Sequence, residues 1–487
     1  MAWVALVVLL SLSVSGCKPR DPQTLTAKPN IVFILADDMR YDDLNYMPQT
    51  TALLKDEGMS FENAFVSNAL CCPSRATIMR GQYSHNTMVW TNENSSIGGW
   101  QAYQRYDNEE DNVATRLQAL GYRTGLFGKY LNGYKDTTGR PPGWDRWFAH
   151  VNGTNYYDYQ INDDGTIKHY GSTSADYEVD VVADQAMTFI DTSANESVPF
   201  FAYVAPIAPH SEEGLGKPLP APRDEHTYDG LKAPRTLSFD EQDVSDKPSW
   251  IRNLPKLSAA QKAKIDDRHE NRAESLQAVD DLVAGVAGKL SEEGLLGNTY
   301  VFFTSHNGEH KGEHGIHGYK WRPYEEDIHM PLLVRGPGVA AGHQAYELAL
   351  NTDYLPTFTD LACSPDPVLC ETLKTQNNWY VPDGRSLGPV LEGNATTWRT
   401  AILLEGTQNT TYAPDYRGIR TVIPGTTRGS KYVEYEGTER ELYDLGADPL
   451  ELTNRYAATA PPAELVWRLQ TLKTCKGEGC RAAEDGP

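Results

Sequence analysis

Three uninterrupted apolar runs stand out along the chain, each ending abruptly in polar residues. Asn30-Ile-Val-Phe-Ile-Leu-Ala36 stops at Asp37-Asp38, Phe200-Phe-Ala-Tyr-Val-Ala205 leads into Pro-rich sequence and His210, and Thr299-Tyr-Val-Phe-Phe-Thr-Ser305 stops at His306-Asn307-Gly308. Runs of this length without polar alternation predict strands covered on both faces. Polar groups just beyond the carboxyl ends of such strands are where open α/β sheets build their sites. Between the last two runs, Ser258 to Leu290 is helical in period: Leu276, Val279, Leu282, Val283, Val286 and Leu290 form one apolar face. Residues 212–256 have no clear period and predict a long surface excursion. After about Asn394 come shorter β-like segments, Thr400–Leu404 and Lys431–Tyr435, and a helix near Ala463–Leu472, together a small α+β unit.

The first 17 residues change the picture of location. Met1 to Gly16 is apolar but too short for a spanning helix, and it predicts an export signal. Val14-Ser15-Gly16-Cys17 resembles a bacterial lipobox, so Cys17 is a candidate lipid anchor; a simple cleaved signal, giving a freely secreted protein, is the alternative. Residues 18–28 are polar and read as a tether. Asn94, Asn152, Asn195, Asn394 and Asn409 open Asn-x-Ser/Thr sequons, incidental in a bacterial lipoprotein.

Size and charge then narrow the function. The 487 residues suffice for one large domain and a smaller one, and the composition, 40% hydrophobic and 23% charged, is that of a folded globular protein. A net charge of -22 argues against nucleic acid or an anionic membrane surface as the main partner, but leaves room for an anionic ligand in a locally basic pocket. Of seven cysteines, Cys363/Cys370 and Cys475/Cys480 are spaced as local disulfides. Cys71 and Cys72 remain, adjacent, with no CxxC and no zinc-type histidine spacing nearby.

Those two cysteines open the strongest motif, Cys71-Cys72-Pro73-Ser74-Arg75-Ala76-Thr77-Ile78-Met79-Arg80-Gly81. Pro73 is placed to open a helix and Gly81 to close it, which puts Cys71 at a helix N-terminus suited to an anionic group. Cys-x-Pro-Ser-Arg followed by this Gly resembles the signature of the sulfatase family, and the register selects Cys71 over Cys72. Pro29-Asn30-Ile31 through Asp38, and Glu441-Leu-Tyr-Asp444-Leu, Asp448-Pro449 and Glu451 to Asn454, resemble that family's first strand and C-terminal element. Cys71-Cys72 with Gly128-Lys129-Tyr130-Leu131-Asn132 is similar to its N-acetylglucosamine-6-sulfatase branch.

The resemblance implies an alkaline-phosphatase-like α/β fold, a large mixed sheet flanked by helices over residues 29–395, with a small C-terminal α+β subdomain over 396–487. It implies oxidation of Cys71 to formylglycine by a formylglycine-generating enzyme, one divalent metal, and a sulfated carbohydrate substrate. Cys71 would be the nucleophile, and Arg75, Lys129, His210 and Lys320 the groups around the ester. Asp37, Asp38, Asn307 and position 306 would hold the metal together with Cys71. One departure is marked: where the family has Asp-Asn-Gly, this chain has His306-Asn307-Gly308. An imidazole in place of a carboxylate opens three outcomes: weaker Ca2+ binding, a borderline metal such as Mn2+ or Zn2+, or an impaired enzyme. Alternative activities on the same fold are an arylsulfatase, a phosphonate or phosphodiester hydrolase, or a non-catalytic glycan-binding relative. His85, His310, His314 and His317 are further candidates to line the pocket, but each is expected to be an ordinary surface or loop histidine.

Overall fold

The computed structural model describes residues 28–135, 139–151, 153–318, 320–407 and 414–486. The expected export signal, Cys17, all but the last residue of the expected tether, and the sequons at Asn152 and Asn409 lie outside them.

A ten-stranded mixed sheet forms the frame. Its centre is Asn30–Ala36, flanked in parallel by Phe200–Ala205 and Thr299–Ser305, with Arg123–Gly128 parallel to the far side of Phe200–Ala205. Successive residues of the central strand enter opposite cores, as the twofold period of a strand requires. Ile31, Phe33 and Leu35 pack with Ala76, Leu355 and Phe358 on one face, while Val32, Ile34 and Ala36 pack with Val182, Val279 and Val283 on the other. With both faces covered, Ile31 to Ala36 are all apolar, and Asn30 at the strand's start is the one polar residue, its side chain bonded to Thr299 and to the Phe200 N–H. Each fully buried Ile, Leu or Phe contributes about 1.5–3 kcal/mol.

The predicted long helix runs from Ala259 to Glu292, and all six residues of its apolar stripe are buried. Ser258 caps it, its hydroxyl accepting from the Gln261 N–H while the Gln261 side chain returns a bond to the Ser258 N–H. The signature helix spans Cys71–Arg80 and ends at Gly81 in the left-handed region, φ 62°. It starts two residues before Pro73, which is tolerated because first-turn N–H groups have no partner within the helix. Residues 212–256 are mostly turns, with one short helix at Ser249–Arg252.

The small unit is a four-stranded antiparallel sheet, Ala401–Gly406, Tyr416–Thr421, Ser430–Tyr435 and Arg440–Asp444, with helices Ala463–Leu472 and Glu478–Asp485. Its core includes Phe65, Val66 and Tyr83 of the large unit, so the two share one apolar cluster. Both expected disulfides are formed, and Cys71 and Cys72 are free and buried. Among the described residues no helix is long and apolar enough to cross a membrane. The α/β architecture expected from the sequence, with its small α+β C-terminal part, is the one observed.

Candidate active site

Four strands that lie side by side deliver most of the candidate groups at their carboxyl ends. Asp37 and Asp38 follow the central strand, His306 and Asn307 follow Thr299–Ser305, Lys129 follows Arg123–Gly128, and the loop after Phe200–Ala205 carries His210. Gly128 is required there: at φ 101°, a Cβ would lie 2.2 Å from the Ala205 carbonyl oxygen. That close approach lets the Lys129 N–H donate to the same oxygen at 2.8 Å and starts the side chain toward Asp37.

The fifth contribution is the signature helix, whose first residue is Cys71. Its Sγ lies 2.8 Å from Lys320 Nζ and 3.9 Å from Asp38 Oδ1. Lys320 also donates to Asp38 Oδ1, and Lys129 Nζ to Asp37 Oδ2. Arg75, wholly buried, donates from Nη1 to the Lys129 carbonyl at 2.7 Å, and its Nη2 is 3.5 Å from Asp37 Oδ2. His210 Nε2 is 3.6 Å from Asp38 Oδ2, while its Nδ1 bonds the Ser211 carbonyl at 2.7 Å, which places the ring proton on Nδ1. With Asn307 Nδ2 donating to Asp38 Oδ1 at 2.8 Å and His306 Nε2 facing Asp37, all nine candidate residues meet in one cluster.

The two cysteines are electrostatic opposites. Burial alone would raise both thiols, but at Cys71 the Lys320 and Lys129 ammoniums outweigh it and hold the thiol well below its ordinary value. At Cys72 burial outweighs the lowering influence of Asn132, Arg75 and Lys129 and pushes the thiol up to about 12. Its N–H is fixed by Asn92 Oδ1 at 2.8 Å. At Asp37 and Asp38 burial is likewise overcome, by Lys129 and by Lys320 respectively, and both carboxyls are held well below the usual range.

Several buried donor atoms at this place have no hydrogen-bond partner among the described residues: Asp37 Oδ1, Asn307 Oδ1 and both ring nitrogens of His306. His306 Nε2 faces Asp37 Oδ1 at 3.2 Å and Asp38 Oδ1 at 3.7 Å. Asp37, Asp38, Cys71 and His210 each bring one donor atom within 4.8 Å of the others. Two carboxylates, an amide oxygen and an imidazole, buried and incompletely satisfied, suit a divalent cation. The oxygen majority fits Ca2+, Mg2+ or Mn2+, and the imidazole extends the range toward Zn2+.

The remaining histidines correct the sequence expectation. His310 and His314 are each 1% exposed. His310 Nδ1 pairs with Asp327 Oδ1 at 2.8 Å and His314 Nδ1 with Glu241 Oε2 at 2.7 Å. His85 is tied to Glu405 and the Cys475 carbonyl, and half-buried His317 to Gln261. His310, His314 and His317 do lie in loops and His85 in a short helix, but none is an ordinary exposed residue: a ring nitrogen of each joins another segment.

Sequence reasoning missed Arg272. It lies on the apolar face of the long helix, one turn before Leu276, and a cation at a core position was the available signal. It is 1% exposed, and it donates to the Asp38 carbonyl at 2.6 Å, to Asp43 at 2.6 Å and to the Pro209 carbonyl at 3.3 Å. It also missed Glu178, which accepts from the Ile207 N–H at 3.1 Å and pairs with His150 at 2.9 Å, anchoring the His210 loop.

Comparison with known proteins agrees with this geometry. The sulfatase family model matches residues 29–364. The chain belongs to the sulfatase family, whose members are sulfuric ester hydrolases. A second model, described as N-sulphoglucosamine sulphohydrolase, C-terminal, matches residues 312–473 of this sulfatase. Human N-acetylglucosamine-6-sulfatase is 33% identical, the match covering 94% of this chain and 86% of the human one. The extracellular sulfatase SULF-1 homolog of Drosophila melanogaster is 35% identical over 78% of this chain, which spans only 33% of the fly protein. Among solved structures, one described as a complex with its substrate D-glucosamine-2-N,6-O-disulfate superposes with TM-score 0.73 at 24% identity, over 92% of this chain and 98% of the other.

Proposed function

We propose that this protein is an exported sulfatase that removes sulfate from the 6-position of N-acetylglucosamine-type sugars, with Cys71 as the catalytic residue. The observation that carries the reading is the placement of Cys71 Sγ, buried at a helix N-terminus and 2.8 Å from Lys320 Nζ. The sugar class rests on the similarity to human N-acetylglucosamine-6-sulfatase along nearly the whole chain. The N-terminal apolar segment and two disulfides support an oxidising compartment outside the cytosol.

Oxidised to formylglycine and hydrated, residue 71 supplies one geminal hydroxyl as the nucleophile toward sulfur, displacing the sugar oxygen; the second hydroxyl then loses its proton, the carbonyl re-forms and sulfate is expelled. Asp37, Asp38, His306 and Asn307 would hold the divalent cation, Ca2+ by the oxygen majority or Mn2+ or Zn2+ by the imidazole, which supplies charge neutralisation at the ester and acidifies the diol. Arg75 and Lys129, fixed and buried, offer positive charge to sulfate oxygens without reorganising. Lys320 carries a proton beside residue 71 and is placed to give it to the departing sugar oxygen. His210, with Nδ1 committed to the Ser211 carbonyl, keeps Nε2 for proton exchange at the more open side of the cluster.

The deciding experiment is sulfate release from N-acetylglucosamine 6-sulfate by protein co-expressed with a formylglycine-generating enzyme, in calcium, beside Cys71→Ala. Release that vanishes in the variant establishes nucleophile, reaction and sugar class together. No release, with the aldehyde confirmed by mass at position 71, sinks the reading. His306 favours a second one, in which the protein binds sulfated sugar without turning it over; binding by calorimetry with no release would select it.

A further inference from the structure

Glu441 is a buried carboxylate of the small unit that the reacting cluster does not use. It lies on the strand Arg440–Asp444, fully shielded from solvent. Carboxylates are almost never buried to this degree without a cation, yet among the described residues Glu441 forms no ion pair. Lys431 on the neighbouring strand pairs with Glu325 and Glu451 instead. Three tyrosine hydroxyls take the place of a cation. Tyr324 and Tyr443 donate to Glu441 Oε1 at 2.5 and 2.7 Å, and Tyr435 donates to Oε2 at 2.5 Å. These are the short lengths of hydroxyl-to-carboxylate bonds. Tyr435 and Tyr443 stand on strands of the small unit, whereas Tyr324 belongs to the large one and follows Lys320 by one short turn. A buried carboxylate is a weak source of net stability, and what it supplies here is direction.

The segment from Lys320 to Tyr324 has little freedom to absorb a movement of the tyrosine. Trp321 is held at φ 80°, a conformation that a bulky residue keeps only where its surroundings impose it. The Lys320 carbonyl accepts from Arg322 Nη1 at 3.0 Å, and the Arg322 N–H donates to Asp327 Oδ2 at 2.8 Å. Asp327 also holds His310, whose ring meets that of Tyr324 edge-on at 5.8 Å. His314 packs on the same tyrosine at 4.7 Å. The small unit adds a second tie, Glu451 Oε2 accepting from the Glu325 N–H at 2.9 Å. At the other end of the segment, Lys320 Nζ stands 2.8 Å from Cys71 Sγ.

We propose that Glu441 is a positioning residue for Lys320: through the Tyr324 hydroxyl it holds the turn that carries Lys320 against the small unit. The inference rests on the reading of Lys320 as the proton donor to the departing sugar oxygen. A proton donor works only at a set distance from the oxygen it serves, and a side chain on a turn keeps that distance only if the turn is braced. The small unit thereby acts on the reaction from behind the turn.

The test uses two matched variants. Tyr324→Phe removes the hydroxyl and keeps the ring, while Tyr443→Phe removes the other bond to the same Oε1 from a residue that is not on the turn. Both are compared with the unaltered protein on N-acetylglucosamine 6-sulfate and on 4-nitrophenyl sulfate, whose acidic phenol leaves without a proton donor. In Tyr324→Phe, kcat on the sugar ester should fall about tenfold or more with KM within about twofold, and kcat on the aryl ester should fall less than about twofold. Tyr443→Phe should leave the ratio of the two rates as it is. Equal losses on both esters, no loss, or the same change of ratio in Tyr443→Phe overturn the proposal. Should the unaltered protein turn over only one ester or neither, lysine acylation by acetic anhydride, mapped by peptide mass, still decides. Absence of release from the sugar ester then counts against the proposed activity and leaves the positioning to this second measurement. Lys320 labelled at least about fivefold faster in Tyr324→Phe, with buried Lys129 unchanged, keeps the positioning role, since general unfolding would expose both. An unchanged Lys320, or both lysines rising together, removes it.

Discussion

Arg272 Nη2 donates to the Asp38 backbone carbonyl at 2.6 Å, tying the long helix to the strand end that carries both candidate metal carboxylates. The same guanidinium meets Asp43 at 2.6 Å and Glu309 at 3.1 Å, so three segments converge on one cation. A buried pair is a weak source of net stability, but removing one partner strands the other charges. Arg272→Met is therefore expected to cost about 3–5 kcal/mol in urea unfolding. Arg272→Lys should recover part of that, since an ammonium cannot reproduce the forked geometry. A change under about 0.5 kcal/mol, the range of inert surface substitutions, would refute the bracing role.

Cys71 and Cys72 should separate chemically in protein made without the oxidising enzyme. Lys320 and Lys129 favour the Cys71 thiolate, while burial holds the Cys72 thiol up at about 12. Iodoacetamide at neutral pH is expected to label residue 71 at least about tenfold faster, because only the thiolate reacts. Peptide mass mapping checks this, and preferential labelling of Cys72 would contradict the assignment.

Acid sensitivity should trace in part to His269. Burial, helped by the neighbouring Lys311 ammonium, lowers its pKa to about 3, so the folded protein keeps it neutral. The unfolded chain takes up a proton near pH 6.5. A base with a depressed folded pKa contributes stability that is complete above the unfolded value and is lost as pH falls below it. The expected loss is about 1.4 kcal/mol per pH unit between roughly pH 6 and 4. His269→Gln should remove that share of the slope, and parallel pH profiles for both proteins would disprove the attribution.

The cluster of Asp37, Asp38, His306 and Asn307 should respond to metal in the absence of any substrate. After chelation, adding a divalent cation at about a hundred times its Kd should restore about 2.7 kcal/mol of stability. Asp37→Asn should abolish the shift. His306→Asp supplies an oxygen donor and one more negative charge, and should strengthen Ca2+ binding by about tenfold or more while weakening any Zn2+ preference. Calorimetric titration of Ca2+, Mn2+ and Zn2+ reads this directly, and an unchanged order of affinities would exclude His306 from the site.

Gly128→Ala tests the strand end that carries Lys129. An added Cβ would meet the Ala205 carbonyl oxygen at 2.2 Å in a backbone region hostile to side chains. The variant is expected to lose several kcal/mol in chemical unfolding, beyond the ~1 kcal/mol of an ordinary glycine exchange. A neutral outcome would mean that the strand end can relax.

The parts of the fold that could be read from the chain are those whose pattern is local. Asn30–Ala36, Phe200–Ala205 and Thr299–Ser305 are legible because burial on both faces keeps their interiors mostly apolar, and Ala463–Leu472 because its period is unbroken. Asp37, Asp38 and His306 are legible as the polar break after such runs. Lys129 and Lys320 are legible only through likeness to a family, since nothing local distinguishes them from other lysines. The order of the ten strands and the burial of His310 and His314 depend on partners far away in sequence, Asp327 and Glu241 among them. Arg272 shows the same limit: its partners Asp43 and Asp38 lie more than two hundred residues away, so the helix pattern reveals only that a charge is misplaced.

The four adjoining strands also set how this protein can change. Neighbouring strands sit about 4.8 Å apart, a spacing fixed by backbone hydrogen bonds and indifferent to side chains. Asp37, His306, Lys129 and the loop of His210 thus inherit their separations from the ladder itself. The loop after His210, the turn through Gly318 and the exposed half of the long helix hang outside that ladder. They are free to drift, lengthen or change charge while the reacting distances stay put. Diversification in this scaffold should therefore accumulate as new preferences for what surrounds the sulfate, long before it alters how the sulfate is handled.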